Sequence, residues 1–493
     1  MVYIAKDPKY NAANTTKSDV YYIPLKTFKE TKTAAKVVTT KGLEGASSGV
    51  VFSPSGSSLI FVRQKGLTYE SDKWRLIHVP DVRKSLVADE FYKSADGLGS
   101  WDRSASEVFW SVDGKTIYIS AEDFARVRLF SVPADSKVKA LPSLIHKEGS
   151  VTGVAPLKSG KLLVTSASFV ENSLYEWVDP VAAAASNATK GITTISANLK
   201  NGAPWGLSKS QVSEFWYKGG GAGDYNVQAW IIKPSFFNPK NKYPLMFYIH
   251  GGPQGATADG WSTRWNMAVF AEQGYVVVAF NPTGSTGFGQ WLTDHISNQW
   301  GGHPYQDLLK GYEYIEKNLP YVDLDNAVAL GASYGGFMVN WIQGHDFGRK
   351  FKALFTHDGA FDTAGMYTTE ELWFIQKDFN GTLWDNYDNY ARWNPALHTA
   401  NWSTPHLIVH NSLDYRITTG DGLAAFNVLQ SRGVESKLLV FPDENHWVLK
   451  PKNSIVWHKT VLDFLNTRVG LKAYSTKDDV AYRSLLQNGK WIS

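Results

Sequence analysis

The spacing of apolar and turn residues divides the chain into two parts with different patterns. Up to about residue 205, short apolar segments alternate with turns, and three of these turns have a similar form. Each contains a glycine and leads into an apolar stretch, at residues 59–62, 116–119 and 162–164. A glycine-containing turn that opens an apolar strand is typical of β-hairpins. We therefore predict an all-β domain in the N-terminal part.

The three similar segments recur at a spacing of about 45–60 residues, which suits one four-stranded sheet of a β-propeller. A generic antiparallel β domain is the alternative. About three to four such sheets fit before residue 205, whereas closed propellers typically have about four to eight. We therefore expect a partial propeller. Because bare sheet edges readily pair, we also expect association with a second copy of the chain or with a further propeller segment.

From about residue 225 the pattern changes to apolar strands separated by helical stretches. The predicted strands are residues 245–249, 275–280, 327–330, 354–355, 406–409 and 437–441. Continuous apolar runs of this kind indicate a mostly parallel sheet that helices cover on both faces. We place the two domains at residues 1–215 and 216–493. We expect the glycine-rich stretch 218–223 to be a flexible loop tip near the junction, and residues 181–186 to form a surface helical turn.

The strongest chemical signal is Gly331-Ala332-Ser333-Tyr334-Gly335, directly after the strand at 327–330. A helical stretch comes next, so the motif has the strand–turn–helix context of a nucleophile elbow. Such a turn is too tight for bulky residues beside the serine, and it lifts the hydroxyl to the carboxyl edge of the sheet. This predicts an α/β-hydrolase domain with Ser333 as nucleophile. The backbone N–H of Tyr334 is predicted to bind an oxyanion.

A serine nucleophile needs a histidine base and an acid that orients it, and in this fold both come after the serine along the chain. Among the 12 histidines, His446 directly follows the last predicted strand, and His458 on the next helix is the weaker choice. For the acid we choose Asp414, after the strand at 406–409. Asp358, one strand earlier, is the rival, and Asp443 is less favoured because it shares a loop with His446.

The second oxyanion donor is expected in the loop His250-Gly251-Gly252-Pro253-Gln254-Gly255, and we choose the Gly252 N–H because glycine lets the backbone approach the substrate. The glycine-rich stretch 284–289 lacks the lysine of a phosphate-binding loop, so we interpret it as a structural loop beside the site. The chain contains no cysteine, which excludes disulfides and thiolate metal sites. We predict neither a metal site nor a cofactor.

The composition of the chain argues against two classes of binding partner. The net charge of +4 forms no basic block, so we expect neither a nucleic acid nor a membrane surface as partner. No apolar run is long enough to span a bilayer, and the first residues do not have the pattern of a signal peptide. Four Asn-x-Ser/Thr sequons, at Asn14, Asn187, Asn380 and Asn401, give a weak indication of secretion.

Six short motifs in the C-terminal part of the chain form a combination that is typical of one protein family. They are His250-Gly251-Gly252-Pro253, residues 281–289, the stretch from Trp300-Gly301-Gly302 to Tyr305-x-Asp307, the turn at Ser333, Asp414-Tyr415-Arg416 and Asn445-His446-Trp447. Together they resemble the prolyl oligopeptidase family of serine peptidases. Thr283, where many relatives have arginine, resembles a fungal dipeptidyl-peptidase branch. Members carry a propeller of about seven blades, so we expect that an N-terminal part of it is not included in this sequence.

The resemblance implies a triad of Ser333, Asp414 and His446, with Tyr334 and Gly252 as oxyanion donors. It implies release of dipeptides from the free N-terminus of short peptides, which acidic side chains would hold by the ammonium group, and Glu122 and Asp123 are the candidates. The alternatives are an acylaminoacyl-peptidase or small-ester hydrolase with the same triad, and an inactive propeller-type binding protein. The resemblance and the sequons favour an extracellular location, with a cytoplasmic one as the alternative.

Overall fold

The computed structural model describes residues 1–27, 33–93, 100–135 and 140–475. Three mostly antiparallel sheets of seven, four and four strands occupy the described part up to residue 197, and one eight-stranded sheet with helices occupies the part from residue 212 onward. This confirms the predicted fold class, a partial β-propeller followed by an α/β-hydrolase domain. None of the helices in the described ranges has the length and apolar character that crossing a bilayer requires.

The N-terminal region consists of fifteen strands and one short helix within the described ranges. The strands are β1 (Val2–Ala5), β2 (Asp19–Tyr22), β3 (Lys36–Thr40), β4 (Ser47–Phe52), β5 (Leu59–Arg63), β6 (Arg75–Val79), β7 (Val87–Glu90), β8 (Ala105–Trp110), β9 (Thr116–Glu122), β10 (Val127–Pro133), β11 (Ser143–His146), β12 (Ser150–Pro156), β13 (Leu162–Ala167), β14 (Leu174–Val178) and β15 (Ile192–Ala197). Helix α1 (Pro180–Ala185) lies at the predicted helical turn.

These strands form three four-stranded antiparallel meanders, β4–β7, β8–β11 and β12–β15. Strands β1–β3 are antiparallel to one another, and β3 pairs in parallel with β7, which extends the first meander to a seven-stranded sheet. The three repeated sequence segments occupy the same place in each meander, the turn between its first and second strands. In these turns Gly56, Gly114 and Gly160 have φ angles of 69°, 70° and 82°, a backbone conformation that favours glycine. The glycines therefore recur because the turn geometry recurs.

The C-terminal region contains the remaining strands and helices. They are β16 (Val212–Lys218), β17 (Asn226–Ile232), β18 (Tyr243–Ile249), α2 (Met267–Ala271), β19 (Val276–Asn281), α3 (Gln290–Asp294), α4 (His303–Asn318), β20 (Val322–Ala332), α5 (Tyr334–Gln343), β21 (Ala353–His357), α6 (Leu372–Asp378), α7 (Tyr387–Arg392), β22 (His406–Asn411), α8 (Thr419–Ser431), β23 (Ser436–Phe441) and α9 (Pro451–Arg468). The sheet order is β16-β17-β19-β18-β20-β21-β22-β23, parallel from β19 to β23 and antiparallel at β16 and β17.

Alternate side chains of the central strands enter two separate cores. From β18, Leu245 and Phe247 pack in the core that contains residues of α4 and α5. Met246 and Tyr248, from the same strand, pack in the core that contains residues of α2 and α9. Because successive side chains of a strand point to opposite faces, a strand covered by helices on both sides must be apolar throughout. This is why the strand sequences show no polar alternation.

The glycine-rich stretch 218–223 differs from its prediction as a flexible tip. It forms the turn between β16 and β17 and packs against the start of α4. The Gly220 N–H donates to the buried Asp307 carboxylate at 2.8 Å, and a Cβ atom at Gly220 would lie 2.5 Å from the Gln306 carbonyl oxygen. Close approach between backbones, rather than flexibility, accounts for glycine here. The proposed domain division at 215/216 falls inside β16, which pairs with β17 along its whole length.

Backbone hydrogen bonds join the two regions. The turn between β9 and β10 meets the loop after β19, where the Phe124 N–H donates to the Gly287 carbonyl at 2.9 Å. Nearby, the Asp259 N–H donates to the Ala125 carbonyl at 2.9 Å, and the Asp259 side chain accepts from the Phe169 N–H at 2.9 Å. The loops of the α/β region therefore lie directly against turns of the β-sheet region.

Candidate active site

Ser333 occupies a sharp turn between β20 and α5. Its backbone has φ 58° and ψ −123°, a combination that a non-glycine residue seldom adopts. A Cβ atom at Gly331 would lie 2.4 Å from the Gly335 carbonyl carbon, and one at Gly335 would lie 2.2 Å from the Ile249 carbonyl oxygen. Both flanking glycines are therefore required by close packing, as the elbow motif predicts. Ser333 itself is half-buried at the carboxyl end of β20.

Asp414 and His446 lie on the loops after β22 and β23 and contact each other directly. The His446 Nδ1–H donates to Asp414 Oδ2 at 2.6 Å, and both residues are buried. The other carboxylate oxygen, Oδ1, accepts the backbone N–H groups of Arg416 and Ile417, each at 2.9 Å. Because the carboxylate can only accept, the proton lies on Nδ1 and the lone pair of the neutral ring lies on Nε2.

His446 Nε2 is buried and has no hydrogen-bond partner among the described residues. Accordingly, within those ranges no hydrogen bond joins the Ser333 hydroxyl to this nitrogen. Such catalytic hydrogen bonds are often long in substrate-free hydrolases and shorten in the complex. The site thus presents a ring nitrogen that can accept a proton, held in the required tautomer by Asp414.

The rival residues have other partners. Asp443 is exposed and pairs with Lys450 and Asn453. The His458 Nδ1–H donates to the Ser454 carbonyl one turn earlier in α9, at 2.8 Å, and burial lowers the pKa of this imidazole. The Asp358 carboxylate accepts two hydrogen bonds from Asn411, at 2.7 and 2.8 Å. In the described part of the chain, only the Asp414 carboxylate accepts a hydrogen bond from His446.

The loop that contains Gly252 lies over the nucleophile. A Cβ atom at Gly251 would lie 3.1 Å from the Ser333 Cβ, and one at Gly252, whose φ is 133°, would lie 2.6 Å from the Gln254 nitrogen. His250 is buried and holds this loop: its Nδ1–H donates to the Gly251 carbonyl at 2.7 Å, and its Nε2 accepts from the Ser285 hydroxyl at 3.0 Å. Burial lowers the pKa of His250 and so favours the neutral ring that these bonds require.

Tyr334, whose backbone N–H is the other predicted oxyanion donor, is the first residue of α5. The first N–H groups of a helix have no carbonyl one turn earlier to bind. The ring of Tyr334 is buried, and its hydroxyl donates to the Trp300 carbonyl at 2.7 Å. The side chain therefore fixes the start of the helix, while its backbone N–H lies beside Ser333.

The glycine-rich loop 284–289 supports this site from the side. The Ser285 hydroxyl contacts His250, and the Thr286 N–H donates to the Gly255 carbonyl at 3.0 Å. Before the glycines, Thr283 donates to the buried Asp307 carboxylate from its N–H at 2.8 Å and from its hydroxyl at 2.6 Å. These contacts agree with the interpretation of the stretch as a structural loop rather than a phosphate-binding one.

A cleft of about 470 Å³ lies between the two regions. Its walls include Glu122 from β9, together with Gln254, Gly255 and Thr286 from the loops of the α/β region. Glu122 is half-buried, and burial raises the pKa of its carboxyl group although Thr286 hydrogen-bonds to it. Glu122 therefore faces the space next to the loop of Gly252.

Asp123, the other acidic candidate, is engaged in ion pairs. Its carboxylate contacts the Arg103 guanidinium at 2.7 Å and the Arg128 guanidinium at 3.1 Å. A carboxylate with two such partners is a structural group. Sequence reasoning missed Glu70 and Asp102, which also line the cleft and come from loops that carry no motif.

A buried carboxyl group lies behind the Gly252 loop. Asp378 accepts from the Trp300 indole N–H at 2.7 Å and from the Gln254 side-chain amide at 2.9 Å. Burial raises the pKa of Asp378 to about 6. The group therefore connects the residue after Pro253 with Trp300, whose carbonyl holds Tyr334.

One cluster in the described ranges has the spacing of metal ligands. Single donor atoms of Asp358, His410 and Asp414 lie within 4.8 Å of one another. The His410 Nε2–H donates to the Ile417 carbonyl at 2.8 Å, and both carboxylates accept hydrogen bonds from backbone N–H groups. Because these donor atoms already have protein partners, we interpret the cluster as a hydrogen-bonded support for the Asp414 loop.

Known peptidases are similar to this chain in sequence. Residues 261–472 match the prolyl oligopeptidase family. The chain is 47% identical over 473 residues to dipeptidyl-peptidase 5 of Aspergillus fumigatus, covering 95% of this chain and 63% of that protein. It is 43% identical over 484 residues to dipeptidyl-peptidase 5 of Arthroderma benhamiae, covering 97% of this chain and 64% of that protein. The chain thus spans a little under two thirds of the length of these curated relatives.

A solved structure has a similar fold along the whole chain. It is the acylaminoacyl peptidase of Pyrococcus horikoshii, with a TM-score of 0.75 and 20% sequence identity, covering 99% of this chain and 71% of that one. The matched family region contains Ser333, Asp414 and His446. Residues 261–472 thus match the prolyl oligopeptidase family in sequence, and the chain as a whole shares its fold with a solved acylaminoacyl peptidase.

Proposed function

We propose that this chain is a serine peptidase that releases dipeptides from the free N-terminus of short peptides through an acyl-enzyme. The observation that carries the proposal is the 2.6 Å contact between His446 Nδ1 and Asp414, on loops of the same sheet edge as Ser333. The curated relatives named dipeptidyl-peptidase 5 support the choice of reaction.

The chemistry follows from the positions of the groups. The Ser333 hydroxyl attacks the scissile carbonyl while His446 Nε2 takes its proton, and Asp414 stabilises the imidazolium. The backbone N–H groups of Tyr334 and Gly252 bind the oxyanion that develops on the carbonyl oxygen. His446 then gives the proton to the leaving amine. In the second half, His446 Nε2 takes a proton from water while the water oxygen attacks the acyl carbonyl. His446 then returns the proton to the Ser333 oxygen as the ester bond breaks and the dipeptide leaves.

Whether the protein selects a free N-terminus depends on the charged groups that line the cleft. A substrate ammonium group is held best by carboxylates that have no other cation nearby. Glu122 meets this condition better than Asp123, because two arginines already pair with Asp123. An arriving ammonium group would also favour the ionised form of Glu122, which burial disfavours by raising the pKa. We therefore assign Glu122 to the substrate N-terminus. Glu70 also lines the cleft, but the charge of Arg416 already acts on its carboxylate.

Because Asp123 already pairs with two arginines, we also consider a second candidate function. If one carboxylate does not suffice to select the ammonium group, the same triad would cleave N-acylated peptides or small esters. The third candidate is a binding protein without turnover. All three share the fold, so substrates must decide among them.

The deciding experiment uses two steps. The protein is first treated with a fluorophosphonate, which labels an activated serine. Untreated protein is then incubated with matched peptides that have alanine second, one with a free and one with an acetylated N-terminus, and the products are identified by mass spectrometry. Labelling of Ser333 with dipeptide release from the free peptide alone supports the proposal. Cleavage of the acetylated peptide supports the second candidate, and a lack of labelling supports the third.

We also propose that the protein is extracellular. The side chains of all four sequon asparagines, Asn14, Asn187, Asn380 and Asn401, are exposed, so the fold leaves them accessible to a glycosylating enzyme. Expression through a secretory pathway should give a protein whose mass falls on treatment with a glycosidase that removes N-linked glycans. An unchanged mass would count against this location and favour the cytoplasmic alternative.

A self-association is the remaining proposal. The described ranges contain three four-stranded meanders, fewer than the roughly four to eight with which propellers close. An open set of blades favours pairing with a second copy of the chain or with a further propeller segment. Sedimentation velocity at several concentrations tests the first of these. A single monomeric species at every concentration would contradict it.

A further inference from the structure

The segment His357-Asp358, at the end of β21, connects to the loops of all three proposed catalytic residues. On one side the Ser333 N–H donates to the His357 carbonyl at 2.9 Å. On the other side the Asp358 N–H donates to the Val409 carbonyl at 2.9 Å, in the strand that leads to Asp414. The segment therefore lies between the nucleophile turn and the acid-bearing loop.

The side chain of Asp358 extends this connection to the histidine. Its Oδ1 accepts the Asn411 backbone N–H at 2.8 Å, and its Oδ2 accepts the Asn411 side-chain amide at 2.7 Å. The same amide nitrogen donates to the Asn445 carbonyl at 2.7 Å. An amide NH₂ has two hydrogens, so it can satisfy both acceptors at once. Asp358 and Asn411 are both buried, and water does not compete for these bonds.

We propose that Asp358 is a positioning residue for the proposed peptidase, which through Asn411 fixes the distance between Asp414 and His446. Asn411 lies three residues before Asp414, and Asn445 directly precedes His446. A single carboxylate thus ties both loops to the strand that also holds the Ser333 turn. The inference rests on the proposed function, since it assigns a role within the same site.

The backbone conformation and the hydrogen bonds at this position both suit an aspartate. The backbone of Asp358 has a φ of 44°, a strained conformation that persists only where its surroundings enforce it. The short side chain must then accept from two groups of one residue. An asparagine could keep one acceptor, but its own NH₂ would face the NH₂ of Asn411.

The titratable groups closest to Asp358 lie on β21, the strand that leads to it, and at the end of the neighbouring strand, β22. His357 Nε2 lies 3.0 Å from Oδ2, His410 Nε2 lies 3.9 Å from Oδ1, and Asp414 belongs to the same cluster. Burial would raise the pKa of Asp358, but His357, His410 and His446 together lower it, so the carboxylate is ionised. A fixed negative charge near His446 favours its imidazolium form.

The test compares four forms of the full chain: wild type, Asp358→Asn, Asn411→Ala and the double variant. Misplacement of a catalytic group by about 1 Å can cost about a hundredfold in rate. We expect kcat of Asp358→Asn to fall by about that factor with little change in KM. The acid limb of the pH profile of kcat/KM should move to lower pH, because the imidazolium loses a nearby negative charge. Since both residues act through one connection, the double variant should resemble the single ones.

Glu171→Gln is the matched control. Glu171 is also a buried carboxylate that accepts backbone N–H groups, from Ser173, Leu199 and Asn201, but it lies in the β-sheet region. It should lower the melting temperature without moving the pH profile. A folded Asp358→Asn variant with wild-type kcat and pH profile would overturn the proposal, and so would additive losses in the double variant.

A second measurement does not depend on turnover. The proton between His446 Nδ1 and Asp414 gives a low-field NMR signal whose position reports the length of that bond. We expect the signal to shift or broaden in Asp358→Asn and Asn411→Ala and to stay in place in Glu171→Gln. An unshifted signal in the Asp358→Asn variant overturns the positioning role even if the wild type cleaves no peptide, which separates this inference from the proposed function.

Discussion

The two regions of the molecule bury their strands in different ways. In the α/β region, β22 is buried along its whole length, whereas in the β-sheet region β14 alternates buried and exposed residues. The first pattern arises because helices cover both faces of a parallel sheet. Parallel strands also bring all their carboxyl ends to one edge, so chain order alone says which loops meet. Antiparallel meanders have turns at both ends, and chain order does not say which turn faces the other region.

Because of this difference, we expect the residues that carry out the proposed reaction and the residues that select the substrate to lie in different regions. The proposed triad comes from three loops at one edge of one sheet. The cleft next to the Gly252 loop is lined by Glu70, Asp102 and Glu122, which come from loops and strands of the β-sheet region. We therefore expect substitutions at the sheet edge to abolish turnover and substitutions on the cleft wall to change which substrates are accepted. Four substitutions test that division, from the largest expected effect to the smallest.

Substitution of the nucleophile should have the largest effect. We expect Ser333→Ala to lower kcat by about 10⁶-fold, as loss of a triad serine does in other hydrolases, with the fold unchanged. Fluorophosphonate labelling and thermal unfolding measure the two halves of this prediction. Ser213→Ala, at an exposed serine of β16, should label like the wild type. Retained turnover in Ser333→Ala would contradict the proposed mechanism.

The acid should come next. Asp414→Asn keeps the size of the side chain but offers an NH₂ group to His446, which favours the wrong tautomer, and we expect a loss of about 10⁴-fold in kcat. Asp443→Asn is the matched control on the neighbouring loop, because Asp443 pairs with Lys450 instead. Steady-state kinetics of both variants measures the loss of kcat that each substitution causes. Equal losses would show that the contact seen at Asp414 does not govern the reaction.

Glu122→Gln should affect selectivity rather than chemistry. A charged hydrogen bond contributes about 1.5–3 kcal/mol, so kcat/KM for a free N-terminus should fall about 10- to 100-fold. Turnover of a small ester without an ammonium group should not change. Asp123→Asn should instead lower stability, because it breaks the pairs with Arg103 and Arg128. If Glu122→Gln lowered both activities equally, the cleft wall would be part of the catalytic machinery.

The smallest effect on catalysis is expected from Asp378, where the change concerns stability and pH. Its pKa is about 6 in the folded protein and 3.8 as a free side chain, so the unfolded chain releases the proton first as the pH rises. Stability conferred by this group is therefore present below about pH 4 and is lost as the pH rises to about 6. One pKa unit corresponds to about 1.4 kcal/mol, so relative to Asp378→Asn the wild type should lose about 2–3 kcal/mol over that interval.

Urea unfolding of the two proteins at pH 4 and pH 7 measures this difference. Asp224→Asn, at an exposed aspartate paired with Lys218, is the control and should show no such dependence. A wild type and an Asp378→Asn variant with parallel stability curves would show that folding does not raise the pKa of Asp378.

The structure confirms the predicted fold class, for which local patterns in the sequence carry most of the information, while the roles of the site residues stay predictions. Gly331 is required by a contact within the turn itself, Gly335 by a contact with the neighbouring strand β18, and Asp414 and His446 follow parallel strands that end at the same sheet edge. The predicted β-strands at 59–62, 116–119 and 162–164 likewise lie within β5, β9 and β13. In each case the interaction that matters is close in sequence or follows from the order of the strands.

The sequence could not predict contacts between distant segments. Gly220 looked like part of a flexible tip, but it packs against Gln306, 86 residues later. Asp123 looked available, yet two arginines on either side of it in the sheet engage its carboxylate. Glu70 carries no motif, and only the assembled cleft shows its position. Such pairings depend on how the sheets face each other, which no periodicity encodes.

Gly287 is the point where the cleft could be widened by a single substitution. A Cβ atom there would lie 3.0 Å from the Cβ of Glu122, and its φ of 82° already favours glycine. Any larger residue would act as a wedge between the two walls of the cleft. Residue 287 thus sets how closely the loop 284–289 can approach Glu122, and it does so away from the sheet edge that carries Ser333.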